Sequence, residues 1–366
     1  MKIIGPVAGI GSRLRPFTLS KPKAFMTIAG KTVLEHILDR FGDTFENNPE
    51  LILVVGYKKR QIIEFVKEKY QDKFELTFIE QIPRGYSEED IPYFWGLGES
   101  IYLTKDRFKE VSFDSKEEEK RAGALIFLAD MVPIEHYSVL MHRYYELGVD
   151  GLITVWEVPK EEASSYGVVK LDKDSNITEL VEKPQKYVSN LAIGGMYVFS
   201  NPTMQALFKH LKKYLDLRTE DSKEVYLTQS LQDTIDEGFK ISAAVLKKGI
   251  LDFGKPTELL RGNRYLLELH NVKKEEFSKL NIVSERSYIN NPVHIGENTK
   301  VLNSVIGPYV SIGNECDIQQ CILSNCVIER NTRLTNVITE NSIIGSNARV
   351  SNITKDNLII GERSSY

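Results

Sequence analysis

A glycine-rich turn followed by cations is the stretch of this sequence best suited to chemistry. Directly after an apolar run that predicts a strand, the chain reads Gly9-Ile-Gly-Ser-Arg-Leu-Arg-Pro16. Glycines let backbone N–H groups approach phosphate oxygens closely and form a concave anion site. Arginine adds bidentate contacts to phosphate, and lysine adds a compact charge. The stretch therefore predicts a site for a phosphorylated ligand.

The charge distribution supports an anionic ligand. Residues 1–34 contain cations but no acid, and the cations are Lys2, Arg13, Arg15, Lys21, Lys23 and Lys31. The whole chain has a net charge of −4, which argues against a general nucleic-acid binder. A locally cationic segment in an acidic protein suits a small, highly charged anion such as a triphosphate. A solvated basic face is the alternative interpretation.

Two familiar phosphate-binding motifs do not account for this turn. The dinucleotide fingerprint needs a third glycine at the position of Leu14. Gly30-Lys31-Thr32 is similar to the end of a P-loop, but the first glycine of that motif would fall on Phe25. What remains is a glycine turn at a strand end with Arg13 and Lys23 downstream.

Two aspartates follow apolar runs elsewhere in the chain. Asp130 ends the run that begins at Ile126, and Asp252 ends the run that begins at Ile250. Each alone could be a turn residue or a helix cap. Together they are candidate ligands for Mg²⁺, because phosphates and water complete the coordination of this ion and few carboxylates are needed.

The elements that must position these residues alternate between strands and helices over the first 270 residues. The predicted strands are Lys2–Val7, Leu51–Val55, Glu75–Glu80, Ala124–Leu128 and Gly151–Val158, then a hairpin of Tyr166–Lys170 and Ile177–Val181, then Leu191–Phe199 and Ile241–Val245. The predicted helices include Thr32–Phe41, Arg60–Lys69, Leu97–Thr104 and Ile134–Leu147. This alternation predicts an open, mostly parallel α/β sheet, which binds ligands at the carboxyl ends of its strands.

A repeat of 16 or 17 residues occupies the end of the chain. Its units begin at Ile295, Ile312, Ile328 and Ile344. Four residues after each isoleucine stands a small side chain, and six residues after it stands an aliphatic one. This pattern is typical of a parallel β-helix built from hexapeptides. Cys316, Cys321 and Cys326 lie within these coils, where we expect them to pack as small hydrophobes.

Length and composition bound the class of protein. At 366 residues the chain exceeds one ordinary core and predicts two domains. We expect a first domain at residues 1–270, a connection at residues 271–290 and a β-helix domain at residues 291–366. The N-terminus lacks the apolar stretch of a signal peptide, and no Cys-x-x-Cys occurs, so a reduced, cytoplasmic protein is expected.

The segment GIGSRLRPFTLSKPKAF resembles the sugar-1-phosphate nucleotidyltransferases, whose pattern is G-x-G-[ST]-R-L-x-P followed by Pro-Lys. The resemblance implies a Rossmann-like mixed sheet followed, in several subfamilies, by a left-handed β-helix. It implies that Arg13 and Lys23 act on the phosphates in catalysis and that Asp130 and Asp252 hold Mg²⁺. The implied nucleotide-binding residues are Ala8, Gly9, Gly11, Ser12, Gln81 and Gly96.

Later segments resemble the sugar-binding part of the same family. Tyr166-Gly-Val-Val and Glu182-Lys183-Pro184 look like its hairpin, and Gly194-Gly195-Met-Tyr197 looks like its next strand. The implied sugar-phosphate-binding residues are Tyr166, Gly167, Glu182, Lys183, Gly195 and Tyr197, and Lys183 also counts as catalytic. The substrates would be a nucleoside triphosphate and a sugar 1-phosphate.

The resemblance leaves details open. Gly96-Leu97 resembles the corresponding dipeptide of thymidylyltransferases, and this resemblance favours dTTP or UTP with glucose 1-phosphate as substrates. Lys255 departs from the family pattern, because it replaces the usual threonine after Gly254. Neither nucleic acid nor a membrane is an expected partner, and the flat sides of a β-helix predict a homo-oligomer. A GT-A-like glycosyltransferase, an acyltransferase acting on the β-helix and a non-catalytic regulatory subunit are the alternatives.

Overall fold

The computed structural model describes residues 1–41, 44–45, 48–88, 90–109, 112–218, 224–269 and 282–366. Contacts divide the chain into two compact units, of which the first comprises residues 1–10 and 37–250 and the second comprises residues 11–36 and 251–366. The domain boundaries drawn from the sequence remain a prediction, and residues 271–281 of the predicted connection lie outside the described residues.

The strands alternate with helices through the first unit and then follow one another closely in the second. In chain order they are β1 (Lys2–Pro6), β2 (Thr27–Ile28), β3 (Lys31–Thr32), β4 (Glu50–Val55), β5 (Glu75–Glu80), β6 (Gly85–Tyr86), β7 (Pro92–Tyr93), β8 (Ala124–Phe127), β9 (Met131–Pro133), β10 (Gly151–Glu157), β11 (Gly167–Leu171), β12 (Ile177–Glu182), β13 (Leu191–Phe199), β14 (Ile241–Val245), β15 (Ile250–Asp252), β16 (Val283–Glu285), β17 (Tyr288–Ile289), β18 (Val293–Ile295), β19 (Lys300–Leu302), β20 (Val305–Ile306), β21 (Val310–Ile312), β22 (Asp317–Gln319), β23 (Ile322–Ser324), β24 (Val327–Ile328), β25 (Arg333–Glu340), β26 (Ile343–Ile344), β27 (Arg349–Thr354) and β28 (Ile359–Ile360).

The α-helices are mostly amphipathic and carry one buried face. They are α1 (Val33–Leu38), α2 (Lys59–Tyr70), α3 (Gly96–Tyr102), α4 (Lys116–Arg121), α5 (Tyr137–Glu146), α6 (Asn201–Asp216), α7 (Leu227–Asp236) and α8 (Pro256–Leu269). Short 3₁₀ turns lie at Ser12–Leu14, Phe17–Leu19, Lys23–Phe25, Asp39–Phe41, Lys105–Arg107 and Ala163–Ser165. None of the helices within the described ranges has the length and apolar character needed to cross a membrane.

A mixed sheet forms the centre of the first unit. Its main path runs in the order β12-β11-β13-β8-β1-β4-β5, and β10 joins β13 to β14. The strands β8, β1, β4 and β5 are parallel, whereas β13 runs antiparallel to β8. Every residue of β4 is buried, as expected for a parallel strand covered on both faces. The predicted fold class, a Rossmann-like mixed sheet, is confirmed.

The charged segment from Asp106 to Arg121, whose composition is typical of a solvated loop, ends in a helix. Its last six residues form α4, and the hydroxyl of Ser115 caps this helix by accepting from the N–H of Glu118 at 3.2 Å. Lys120 is buried, and its Nζ donates to the carbonyl of Tyr144 at 2.9 Å. The helix was not predicted because its sequence, KEEEKR, has no apolar residue to indicate a buried face. In the structure Lys120 occupies that buried face.

The second unit contains the glycine turn from Gly11 onwards, a small hairpin of β2 and β3, helix α8 and the β-helix. Asn263 on α8 is fully buried and connects three of these parts. Its Oδ1 accepts from the N–H of Ala29 at 2.9 Å and from the hydroxyl of Ser311 at 2.6 Å, and its Nδ2 donates to the carbonyl of Tyr309 at 3.2 Å. The α8 helix is thereby fixed against the β-helix.

The C-terminal coils form a parallel β-helix. Along one side, β18, β21, β24, β26 and β28 pair in parallel, so Ile295, Ile312, Ile328, Ile344 and Ile360 stack in register. The small and aliphatic positions of the repeat are buried, and so are the three cysteines, of which Cys316 occupies a small position. The fold therefore agrees with the predicted left-handed β-helix. Strands β16 and β17, which the prediction placed in the connection, pair with the first coil.

Asparagines turn the corners of these coils, a feature that the sequence analysis missed. One corner holds Asn325, Asn341 and Asn357, and all three have positive φ between 45° and 57°. Asparagine tolerates this left-handed conformation better than other residues with a Cβ. Its amide also bonds to the next coil, as from Asn325 Nδ2 to Asn341 Oδ1 at 2.6 Å. The 16-residue spacing of these asparagines was a readable signal.

Candidate active site

A cavity of about 290 Å³ in the first unit collects most of the residues predicted to bind the sugar phosphate. Gly96, Tyr166, Gly167, Glu182, Lys183 and Tyr197 line it. They come from α3, from the hairpin of β11 and β12 and from β13, so elements distant in sequence meet there. Leu128, Met131, Ile193 and Thr228 complete much of the wall.

The hairpin explains why Gly167 and Glu182 lie together. They are direct partners in the antiparallel ladder of β11 and β12, and a Cβ on Gly167 would lie 3.0 Å from Glu182 Oε2. Thr228 at the start of α7 donates to that same oxygen at 3.1 Å. The glycine therefore leaves room for the carboxylate, and the threonine orients it.

The cationic side of this cavity is Lys183, which directly follows β12. Its Nζ lies 3.7 Å from Glu182 Oε1 and 5.4 Å from the ring centre of Tyr226. The side chain is 52% exposed, so this ion pair adds little stability and leaves the ammonium accessible from solvent. A ligand phosphate could therefore approach Lys183 at low cost.

Tyr197 is buried beside two carboxylates near the cavity. Burial raises the pKa of its hydroxyl most strongly, and the nearby charges of Glu182 and Asp130 raise the pKa further. Asp130 is half-buried and directly follows the turn after β8. Both predicted acids of the first unit are thus close enough to Tyr197 to influence its ionisation.

Gly195, which was predicted to bind the sugar phosphate, lies on β13 behind Met131 and is not among the residues that line the cavity. It adopts a left-handed φ of 73°, and a Cβ there would lie 2.8 Å from the sulfur of Met131. A larger residue would displace Met131, which lines the cavity. The requirement for glycine at this position is therefore steric.

Gln81, predicted to read the base, is buried behind the start of α3. Its Nε2 donates to Glu99 Oε2 at 2.7 Å and to the carbonyl of Gly96 at 3.2 Å, while its Oε1 accepts from Ser100 at 2.7 Å. In this structure the amide supports the Gly96 turn. Its direct contact with a base stays a prediction.

A stack of cationic and aromatic side chains, absent from the sequence analysis, holds the same turn. Trp95 directly precedes Gly96, and the guanidinium groups of Arg84 and Arg218 lie 4.2 Å and 4.1 Å from its ring centre. Arg84 Nε also donates to Glu99 Oε1 at 2.7 Å. Trp95 and the two arginines therefore provide part of the support for this turn.

The glycine turn divides between the two units. In the first unit, buried Ala8 continues β1, and its carbonyl accepts from the N–H of Tyr57 at 3.2 Å. In the second unit, Gly11 has φ 69°, and a Cβ on it would lie 2.7 Å from Lys23 Cβ. Gly11 therefore has to be glycine for the turn to pack against Lys23. Gly9 and Ser12 are exposed.

Asp252 and Arg13 lie together in the second unit. A Cβ on Gly254 would lie 3.1 Å from both Arg13 Nη2 and Asp252 Oδ1, and the Gly254 N–H donates to that oxygen at 2.8 Å. Glu258, which the sequence analysis did not select, belongs to the same cluster. Burial raises the pKa of its carboxyl, the charge of Asp252 raises it further, and the nearby Lys255 and Arg13 oppose the rise.

Comparison with known proteins identifies the family. A family model described as nucleotidyl transferase matches residues 7–268. The chain is 31% identical over 265 residues to the bifunctional protein GlmU of Methanocaldococcus jannaschii, which covers 72% of this chain and 54% of that protein. The chain therefore spans about half the length of this relative.

Two further proteins share the same region. The UTP–glucose-1-phosphate uridylyltransferase AglF of Haloferax volcanii is 28% identical over 258 residues, covering 70% of this chain and 93% of that protein. A solved structure of UDP-glucose pyrophosphorylase complexed with UDP-glucose shares the fold with a TM-score of 0.58 at 20% identity, covering 73% of this chain and 98% of the other. The chain thus belongs to the nucleotidyl transferase family, to which the resemblance of its glycine turn and hairpin to sugar-1-phosphate nucleotidyltransferases had pointed.

Proposed function

We propose that this nucleotidyltransferase joins a nucleoside triphosphate to a sugar 1-phosphate, releasing pyrophosphate and an NDP-sugar. The favoured pair is dTTP or UTP with glucose 1-phosphate. The observation that carries the proposal is the cavity of the first unit, where the Glu182 carboxylate and the Lys183 ammonium stand on one hairpin. A carboxylate accepts from sugar hydroxyls, and an ammonium attracts the phosphate.

The proposed reaction needs no covalent intermediate. An oxygen of the sugar phosphate attacks the α-phosphorus of the triphosphate, and the bond from that phosphorus to the bridging oxygen breaks. The electron pair leaves with pyrophosphate. Arg13 and Lys23 would stabilise the charge that develops on the phosphates, and binding in one site would align the reactants.

Asp130 and Asp252 are the residues proposed to hold Mg²⁺. When bound, the ion would neutralise phosphate charge. Among the described residues, no group of three or more His, Cys, Asp or Glu side chains could hold a metal ion by itself. This arrangement still suits Mg²⁺, which binds proteins through one or two carboxylates and takes its other ligands from phosphates and water.

Substitution of Lys23 tests the proposed catalysis. We expect Lys23→Ala to lower the rate of pyrophosphate release by about 10²–10³, the usual cost of one lost transition-state contact. Lys31→Ala is a matched control, because Lys31 is an exposed cation of the same N-terminal segment. Near-normal turnover in a folded Lys23→Ala or Asp130→Ala protein would contradict the assignment.

A substrate screen separates this proposal from its alternatives. Five nucleoside triphosphates would be tested against a panel of sugar 1-phosphates, with pyrophosphate release as the signal. Because the relative AglF is named a UTP–glucose-1-phosphate uridylyltransferase, UTP with glucose 1-phosphate is the first pair to test. Consumption of an NDP-sugar without pyrophosphate would indicate a glycosyltransferase, and binding without turnover would indicate a regulatory subunit.

The β-helix carries an apolar stripe that supports the expected homo-oligomer. Val305, Ile322 and Ile338 are paired neighbours in successive coils, and each is 40–48% exposed. We expect this row of exposed aliphatic side chains to form part of a contact surface. We expect light scattering to show an oligomer that Ile322→Asp weakens. A wild-type monomer at micromolar concentration would exclude it. A cytoplasmic location remains part of the same proposal.

A further inference from the structure

One coil of the β-helix carries a buried acid, Glu329, directly after its repeat isoleucine. In four other coils the equivalent residue is glycine, namely Gly296, Gly313, Gly345 and Gly361. The backbone of Glu329 keeps the regular ladder, because its N–H donates to the carbonyl of Ile344 at 2.9 Å. The coil itself therefore does not require a carboxylate at this position. Because Glu329 is only 2% exposed and burial of an unpaired charge is costly, the carboxylate needs specific partners.

These partners lie in the next coil and in the N-terminal segment of the second unit. Glu329 Oε2 accepts from the N–H of Ser346 at 3.1 Å and from its hydroxyl at 2.9 Å. Glu329 Oε1 accepts from the Nζ of Lys21. The Lys21 side chain is itself only 14% exposed, so both ends of the ion pair are largely removed from water. Loss of either partner would leave the other charge buried and uncompensated.

The segment that contains Lys21 is connected to the β-helix at two further points. A Cβ on Gly361 would lie 3.0 Å from Cγ of Pro16, so the last coil packs closely against the chain after the glycine turn. The N–H of Ala29 donates at 2.9 Å to Asn263, the α8 residue that is bonded to the β-helix. Lys21 lies between these two contacts. The segment is thus fixed to the β-helix at three points along its length.

The ion pair lies close to a residue with a proposed role on the phosphates. Lys23 begins a 3₁₀ turn two residues after Lys21, and a Cβ on Gly11 of the glycine turn would lie 2.7 Å from its Cβ. The residue between the two lysines is Pro22, whose ring restricts rotation of the backbone. The position of Lys21 therefore limits where Lys23 and the glycine turn can lie.

We propose that Glu329 is a positioning residue, which acts through Lys21 to hold Lys23 and the glycine turn in place for the triphosphate. This proposal rests on the proposed function, in which Lys23 stabilises charge on the phosphates. It gives the β-helix a part in arranging the active site. Catalysis depends on alignment more steeply than binding does, so loss of the ion pair lowers kcat more than it raises KM.

Glu329→Gln tests the proposal, because it keeps the size of the side chain and removes its charge. In the pyrophosphate-release assay on the full chain, we expect kcat to fall about tenfold or more, with each KM changed less than about threefold. The double variant Lys21→Met/Glu329→Gln leaves no buried charge behind, yet its kcat should stay equally low because the contact is still missing. It also serves as the test if Glu329→Gln alone does not fold.

The matched control is Ile318→Ala, which weakens the core of the β-helix on its other sheet. It should keep kcat within about twofold of the wild type, because it leaves the ion pair intact. Recovery of kcat in the double variant would show that the uncompensated charge had lowered the rate, and would overturn the proposal. An unchanged kcat in Glu329→Gln, or an equal fall in Ile318→Ala, would also overturn it.

Hydrogen exchange gives a readout that does not require activity. The N–H of Met26 donates to the carbonyl of Lys23 at 3.2 Å and closes the 3₁₀ turn. The peptide that contains Met26 should exchange about tenfold faster in Glu329→Gln than in the wild type, but not in Ile318→Ala. Equal exchange in all three proteins contradicts the proposal. If the wild type is inactive with all substrates, the proposed function fails, and exchange alone decides whether Glu329 holds the segment.

Discussion

Substitution of Glu182 by glutamine is the most direct test of how the hairpin recognises its substrate. The change keeps the shape of the side chain and removes its charge. In the structure Glu182 Oε2 accepts from Thr228 at 3.1 Å, and Oε1 lies 3.7 Å from Lys183 Nζ. A sugar hydroxyl bonded to this carboxylate would lose a charge-assisted hydrogen bond, which contributes about 1.5–3 kcal/mol.

That loss corresponds to a rise of about 10- to 150-fold in the KM for the sugar 1-phosphate. The exposed pair with Lys183 adds little, because surface ion pairs contribute at most about 1 kcal/mol. The KM for the nucleoside triphosphate should change by less than about twofold, equivalent to 0.4 kcal/mol. The expected signature is thus a selective effect on one substrate.

The assay is pyrophosphate release, with each substrate titrated while the other is saturating. Glu179→Gln is the matched control, because Glu179 lies on the same strand but pairs with Lys170 on the exposed face at 2.6 Å. Thr228→Val should give a smaller rise in KM, since it removes only the donor that orients the carboxylate. If the KM for sugar 1-phosphate is unchanged in Glu182→Gln, or if only the nucleotide KM rises, the assignment of Glu182 is wrong.

Three further predictions concern stability and reactivity. In urea unfolding, Glu99→Leu should lose about 1–3 kcal/mol, because it removes an acceptor from buried Gln81 and from Arg84, and exposed Glu64→Leu should change little. Ile318→Ala should cost about 2–5 kcal/mol in the β-helix core, whereas Val283→Ala at the surface of the same sheet should cost far less. Burial raises the pKa of the three cysteines from 9.0 to about 11 or 12, so a thiol reagent at pH 8 should label only unfolded protein. Folding raises these pKa values, so the protonated thiols contribute to the free energy of unfolding below pH 9. This contribution is lost as the pH rises towards 11. Rapid labelling of native protein at pH 8 would contradict the burial.

Periodicity located most elements of the first unit. The predicted bounds of Leu191–Phe199, Glu75–Glu80 and Ile241–Val245 agree with the structure to the residue. These strands are apolar runs bounded by turn residues, so local sequence is enough to locate them. Their order in the sheet could not be read in the same way, because the antiparallel placement of β13 between β8 and β11 depends on pairing between distant segments.

Sequence motifs indicated one part of the candidate site. They did not indicate the residues that support the site through packing. Gly11, Glu182 and Asp252 stand in segments that resemble a family. By contrast, Arg84, Glu99 and Arg218 act on the turn before α3 through contacts formed only in the folded chain. Nothing in the local sequence distinguishes such residues from ordinary surface charges. Their relevance follows from burial and stacking.

The corner asparagines limit how the length of the β-helix can change during evolution. Successive coils pair through the same kind of backbone ladder, and corner amides bond from one coil to the next at Asn325–Asn341, Asn331–Asn347 and Asn336–Asn352. Duplication or loss of one whole 16-residue period would preserve every corner, whereas deletion of a single residue would shift inward side chains to the surface. Length variation in the β-helix should therefore occur in whole turns.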